Sequence, residues 1–239
     1  MSARRTDSQR AFSRRQWSRR WMLWRRAVVA LVLLLAVGGA AWLVFFSPVL
    51  SVATVAVEGE RSLPAQRIVR AAGIELGRPL ARADLEQAAA RVERLPAVRE
   101  VAARRAWPDT VVLSVVERTA VATVDAGRHH LLIDEEGVQF REVDGPRRGL
   151  PTIVAGGERA AAEAAEVVAA LPADVVGRVD RVDATTMDSI TLQLAGGREV
   201  VWGSAEQTEL KAKVLAVLVQ EEGSVLNVSV PSAPTVAVG

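Results

Sequence analysis

A chain of 239 residues, half of them apolar, is long enough for one or two modest domains with a buried core, which excludes disorder over its whole length. The formal net charge of +2 hides an uneven spread: residues 1 to 26 hold nine arginines against one acid, Asp7, whereas residues 47 to 239 hold 21 Lys and Arg against 27 Asp and Glu. An acidic body repels phosphate backbones, so it is not read as a nucleic-acid binder, and the absence of cysteine removes disulfides, thiolate metal sites and cysteine nucleophiles together.

After the arginine-rich segment 1–26, the run Ala27 to Phe46, AVVALVLLLAVGGAAWLVFF, carries no charge. A helix of that length is about 30 Å long and matches the hydrocarbon thickness of a bilayer. Trp21, Trp24 and Trp42 lie near its ends, where interfacial aromatics belong, and the arginines before it predict a cytoplasmic N-terminus and an extracytoplasmic remainder. Anionic lipid attracts such arginines by about 1 kcal/mol each, so membrane lipids are the expected partner of this tail. SRRQW and SRRWML also resemble the start of a twin-arginine export signal, which would make the mature protein soluble. The apolar run continues through Trp42-Leu43-Val44-Phe45-Phe46, however, and is longer than a signal core, so an uncleaved anchor over 27–46 is expected.

Ser47-Pro48 ends the anchor, and Val52 to Val57 reads as a strand closed by Glu58-Gly59. Ser62-Leu63-Pro64 starts a short helix with Ile68, Val69 and Ala72 on one stripe and Gly73 at its end. Asp84, with Gln87 three residues on, opens a second helix whose apolar face is Leu85, Ala88, Ala89, Val92 and Leu95. Val98 to Arg105 and Val111 to Val116 then pair across Trp107-Pro108. The order strand, helix, helix, strand, strand predicts two helices on one face of a small sheet.

From about Val121 the chain is strand-rich. Leu131-Leu132-Ile133, the turn Asp134-Glu135-Glu136-Gly137 and Val138-Gln139-Phe140 form one hairpin signal; Ile190 to Leu194, Gly196-Gly197 and Glu199 to Trp202 form another. A helix over Glu158 to Leu171 is alanine-rich. A later one takes Ser204 as cap, Gln207 at the capping-box position and Leu210, Val214, Val217 and Leu218 as its face. A last strand, Val225-Leu226-Asn227-Val228-Ser229-Val230, ends at Pro231, and residues 231–239 are expected to be a flexible tail. The fold class is α+β: one transmembrane helix, a β-α-α-β-β domain, then a mainly antiparallel β domain with helices.

No catalytic constellation stands out in the sequence. Adjacent strand residues face opposite ways, so His129-His130 cannot readily ligate one ion, and Asp134-Glu135-Glu136-Gly137 lacks the spaced oxygens of a calcium loop and reads as a solvated hairpin tip. No serine lies in G-x-S-x-G, and the glycine pairs near 156 and 196 are isolated turns. Neither an enzyme nor a cofactor or metal site is expected. Two readings of Val225 to Val230 stand level: an edge that takes a partner's strand through backbone hydrogen bonds, or a strand paired on both sides in its own domain. Glu117-Arg118 interrupts the apolar run at the end of the first domain and is expected to make a hinge or interdomain contact.

Beyond the residues' own reading, the tail and anchor followed by VATVAVEG, LPAQRIVRAAGIELGRPLARADLEQAAARVERLPAVREVAARRAWPDTVVLSVVERTAVA, LLIDEEGVQF and LPTIVAG resemble the FtsQ/DivIB family of bacterial cell-division proteins. The order and spacing of the Trp-Pro-x-Thr turn, the Glu-Arg strand end and the Asp-x-x-Gly-Val hairpin carry the resemblance. It implies a POTRA domain at 50–119, a β domain at 120–230 and no catalysis. It further implies a divisome scaffold at the septum that binds FtsB- and FtsL-like proteins and connects them to the septal peptidoglycan synthase. The implied partner site is the last strand, Val225, Leu226, Asn227, Val228, Ser229 and Val230, helped by Glu206 to Val219. Ala120 stands where the family often has proline, and aromatics that strengthen the contact in some members have no counterpart near Val230. A POTRA-bearing secretion or assembly factor is the alternative, and it would need several POTRA units or a long β-barrel.

Overall fold

The computed structural model describes residues 8–237, with side chains at Trp21 and from Trp24 onward; the start of the arginine-rich tail and the last two residues lie outside the described residues. Helix α1 (Ser8–Phe46) is longer than the apolar run that predicts it, and its segment Trp24–Phe46 is long and apolar enough to cross a membrane. Those 23 residues rise about 35 Å. A cation–π contact marks each end: the Arg25 guanidinium lies 4.9 Å from the Trp21 ring centroid and that of Arg82 lies 4.2 Å from Phe46.

A one-turn 3-10 segment, Pro48–Leu50, leads out of α1; the Ser47 hydroxyl oxygen accepts the Val49 N–H at 3.2 Å and caps it. Strand β1 (Thr54–Glu58) follows, then helix α2 (Ala65–Ala72), which buries Ile68 and Ala72. Helix α3 (Leu85–Glu93) starts where Asp84 accepts the Gln87 N–H at 3.0 Å, and it buries Ala88 and Val92. Strands β2 (Val98–Ala106) and β3 (Thr110–Glu117) complete a three-stranded sheet of order β1-β3-β2, with β1 parallel to β3. Strand, helix, helix, strand, strand is thus the order observed.

The remaining elements are β4 (Ala122–Asp125), β5 (His130–Ile133), β6 (Gln139–Val143), β7 (Thr152–Ala155), α4 (Glu158–Ala170), α5 (Ala173–Val176), β8 (Val179–Ala184), β9 (Ile190–Leu194), β10 (Arg198–Gly203), α6 (Thr208–Leu218), β11 (Val225–Asn227) and β12 (Thr235–Ala237). Their nine strands form one sheet in the order β12-β11-β10-β9-β8-β7-β4-β5-β6. Pairing is antiparallel except for β4 with β7, β7 with β8 and β10 with β11. Helix α4 lies over β4, β7 and β8. Its buried face is mostly alanine, Ala160, Ala161, Ala164 and Ala165, so its backbone can approach the sheet closely. The core beneath contains Ile133, Ile153, Val182, Ile190, Leu192, Trp202, Leu215 and Leu226. Each such large side chain contributes roughly 1.5–3 kcal/mol of burial.

Two compact units emerge from the backbone: Met1–Glu58 with Val69–Ala89 and Ala102–Ser114, and Gly59–Ile68 with Ala90–Val101 and Val115–Gly239. The first holds the membrane helix, its exit and the β2–β3 turn. The second holds the nine-stranded sheet.

Two local readings change. Helix α6 begins at Thr208, because Gln207 adopts a left-handed φ of 56° instead of the capping-box role. The helix buries Thr208, Lys211, Ala212 and Leu215 and leaves Leu210 and Val217, expected on the apolar face, exposed. Lys211 takes the core position because its Nζ donates to the carbonyl oxygens of Trp202 at 3.2 Å and Ser204 at 2.9 Å. Burial pushes its pKa down, opposed by the charge of Glu206.

The second change is at the C-terminal end. Strand β11 stops at Asn227, where the side-chain Oδ1 accepts from the Ser229 N–H at 3.0 Å and hydroxyl at 2.7 Å and diverts the backbone. The segment expected to be a flexible tail then returns as β12, antiparallel to β11.

Candidate interaction sites

Glu117 and Arg118 are neighbours in sequence whose side chains act in different places. The Glu117 carboxylate closes on the chain just before α2: it accepts the backbone N–H of Arg61 at 2.8 Å, Ser62 at 3.0 Å and Leu63 at 2.9 Å, and a short hydrogen bond from the Ser62 hydroxyl. Three converging N–H groups make an anion nest at a helix start. Partial burial raises the Glu117 pKa, but the Ser62 hydroxyl and the three N–H groups outweigh it and hold the carboxyl at about 2. Arg141 donates to Ser62 Oγ at 2.5 Å, so a residue of β6 joins the same cluster.

Arg118 turns toward the β5–β6 turn. Its guanidinium bonds Asp134 at 2.5 Å and Glu136 at 2.7 Å, with side chains only 15% exposed for Arg118 and 3% for Asp134. Desolvation opposes the charge of Arg118, yet the hydrogen bonds to the two carboxylates win and its pKa is raised. Asp134 also accepts the N–H of Glu136 at 3.1 Å and of Val138 at 2.8 Å, which shapes the turn. Gly137 completes it at φ 78°; a Cβ there would stand 2.4 Å from that of Ala162 in α4, so the turn and the helix require glycine. Arg99 adds an outer layer, with Glu135 at 2.7 Å and Glu136 at 3.0 Å. Asp134, Glu136, Arg99, Ser62 and Arg141 were not singled out as contact residues from the sequence. The available signal was the spacing Asp-x-x-Gly-Val, in which a carboxylate can take the N–H groups two and four residues on.

The six C-terminal candidates fall in three settings. Val225, Leu226 and Asn227 form β11, with β10 on one side and β12 on the other. Val228 is buried and its N–H still bonds the Val201 carbonyl at 3.0 Å, whereas Ser229 turns to Asn227 and Val230 is 55% exposed. The edge of the sheet beyond β11 is therefore β12, three residues long and at most half-buried. Exposed Leu210 and Val217 share one stripe of α6, seven residues apart.

His130 pairs with Asp125 at the start of β5, and exposed His129 precedes it. Among the described residues, no group of three or more His, Cys, Asp or Glu is placed to hold a metal ion.

A membrane-type helix followed by a small strand-helix-helix-strand-strand sheet and a larger mixed sheet, with charged junction and strand edge, defines an interaction protein carried on a single anchor. Residues 50–118 match the POTRA domain, FtsQ-type, and residues 122–232 match the cell division protein FtsQ/DivIB C-terminal family. Three relatives named cell division protein FtsQ are similar over most of the chain. That of Mycolicibacterium smegmatis is 36% identical over 87% of this chain and 63% of its own length; that of Streptomyces collinus is 34% identical over 92% and 90%; that of Streptomyces coelicolor is 34% identical over 87% and 85%. This chain spans less than two thirds of the mycobacterial relative. It belongs to the FtsQ/DivIB family, and is a single-pass membrane protein of cell division with a scaffold role.

Proposed function

We propose that the chain is a non-enzymatic bitopic scaffold of the divisome, with residues 1–26 in the cytoplasm and a POTRA domain (50–119) and β domain (120–230) outside. At the division septum it binds FtsB- and FtsL-like partners and so connects them to the septal peptidoglycan synthase. Glu117-Arg118 marks the passage between the domains, one side chain serving each. The arginine-rich flank of the apolar helix supports the orientation.

The observation that carries the partner reading is the C-terminal strand edge. A partner strand pairs with β11, continues along Val228 to Val230, and replaces β12, whose three residues offer little to resist exchange. The exposed stripe of α6, Leu210 and Val217, flanks the incoming segment. Ending the chain after Ser232 removes the competing strand, so co-purification with the FtsB-like partner should become tighter; lost binding with the domain still folded would rule this site out. A fluorescent fusion at the N-terminus should collect at mid-cell, and uniform envelope labelling would count against the scaffold role.

A further inference from the structure

We propose that the first unit touches the bilayer directly through three apolar tips, Val49, Leu76 and Trp107, at the level where α1 leaves the membrane. They are 74%, 65% and 52% exposed, which is costly for large apolar side chains facing water. Sequence separates them by up to 58 positions, yet the backbone gathers them around one segment, Ser51 to Thr54. Val49 precedes Ser51 by two residues. The N–H of Gly77, next to Leu76, bonds the Val52 carbonyl at 2.8 Å; the Val52 N–H bonds the Arg78 carbonyl at 2.8 Å; and Ser51 bridges to Pro79. The carbonyl of Asp109, two residues after Trp107, accepts the N–H of Ala53 at 2.8 Å and of Thr54 at 3.3 Å.

The height of this cluster is fixed by α1. Arg82, in the one-turn 3-10 segment Leu80–Arg82, stacks over Phe46, the last residue of the membrane helix. Arg105 donates to the carbonyls of Leu80 at 2.9 Å and Ala83 at 2.7 Å, tying the end of β2 to the same segment. The headgroup layer is about 5–8 Å thick on each side of the hydrocarbon, so tips held beside the helix exit fall within it. Tryptophan is suited to that layer, and a long arginine beside an aromatic ring can place its guanidinium among lipid phosphates. The patch continues the surface by which α1 already meets lipid, which favours the bilayer over a protein as its occupant.

The chain has no native cysteine, so single substitutions report without background. Spin labels at Leu76→Cys and Trp107→Cys, in the full chain reconstituted in phosphatidylcholine nanodiscs, should collide with oxygen several-fold more than with an aqueous nickel chelate. The reference is Ala102→Cys, exposed five residues up β2 from Trp107, about 16 Å along the strand, which should show the opposite preference. A second readout needs no label: Trp107→Phe should remove a component of tryptophan quenching by brominated lipid. Aqueous readings at both 76 and 107 would overturn the proposal and assign the patch to a protein partner, as would unchanged quenching in Trp107→Phe.

Discussion

The charged cluster around Glu117-Arg118, the junction of the proposed domains, and the C-terminal edge at β11–β12 lie in the same unit and are built on opposite principles. At the junction, the Glu117 carboxylate takes several hydrogen bonds, Arg118 holds two carboxylates through one nitrogen while its buried Nε stays unpartnered, and Asp134 is 2% exposed. At the edge, two three-residue strands pair mainly through their backbones, with only the Ser224 hydroxyl on the Ala237 carbonyl at 3.3 Å and the partly buried Val236 beside those bonds. Directional charged bonds fix one geometry, while generic backbone bonds can be made equally well by another strand. The charged cluster thus fixes its local geometry, and the edge leaves exchangeable what a partner is proposed to take.

The largest effect should come from removing the centre of the junction. Asp134→Ala leaves Arg118 short of a buried partner and frees the N–H groups of Glu136 and Val138, so we expect a loss of about 3 kcal/mol, tempered by the remaining Glu136 bond and read by urea unfolding. A loss as small as that of a surface pair would show the junction to be ornamental.

Next comes Glu117→Gln. The folded pKa of Glu117, about 2, lies below its ordinary 4.5. Its stabilisation is therefore complete above pH 4.5 and is lost as pH falls from 4.5 toward 2. Discounted for partial exposure, that contribution is on the order of 1–2 kcal/mol. The gap between wild type and Glu117→Gln should be constant at neutral pH and close across that acid range; a gap independent of pH would place the stabilisation elsewhere.

Much of this contrast is legible in the sequence. The hydrophobic periods of β1, α2, α3 and β3 and the Asp84 cap found the first sheet, because local pattern and tertiary burial agree there. Glu117-Arg118 could be located but not resolved, since its partners stand 16 to 56 positions away and long-range pairing leaves no local period. Asp134 looked solvated because acidic turns usually are. Lys211 hid the true face of α6, as a charge at a core position inverts the apolar count. The extent of β11 depended on Asn227 bonding Ser229, and β12 on a return that no short motif announces.

Arg99→Ala tests where the junction ends. Its carboxylate contacts are about half exposed and resemble ordinary surface pairs, so its removal should cost a small fraction of what Asp134→Ala costs. The cost should shrink when salt is raised, whereas that of Asp134→Ala should not, because burial shields the inner pair from screening. Equal salt dependence for both would dissolve the distinction between core and rim of the junction.

The smallest effect belongs to the edge. Ordering residues 231–237 costs backbone entropy. Against this stand a few backbone hydrogen bonds, worth about 1 kcal/mol each, and the partial burial of Val236, which packs so closely on Gly223 that a Cβ there would meet it at 2.3 Å. Because β12 is short, terminal and paired on one side only, ending the chain after Ser232 should change global stability by no more than about 0.5 kcal/mol. Amide exchange supplies the sharper measurement: Thr235 to Ala237 should exchange through local opening far faster than β8 and β9, which are paired on both sides within the sheet. Protection of β12 equal to that of β8 would mean that its removal is a global event, and a partner strand would then have to add outside β12 instead of replacing it.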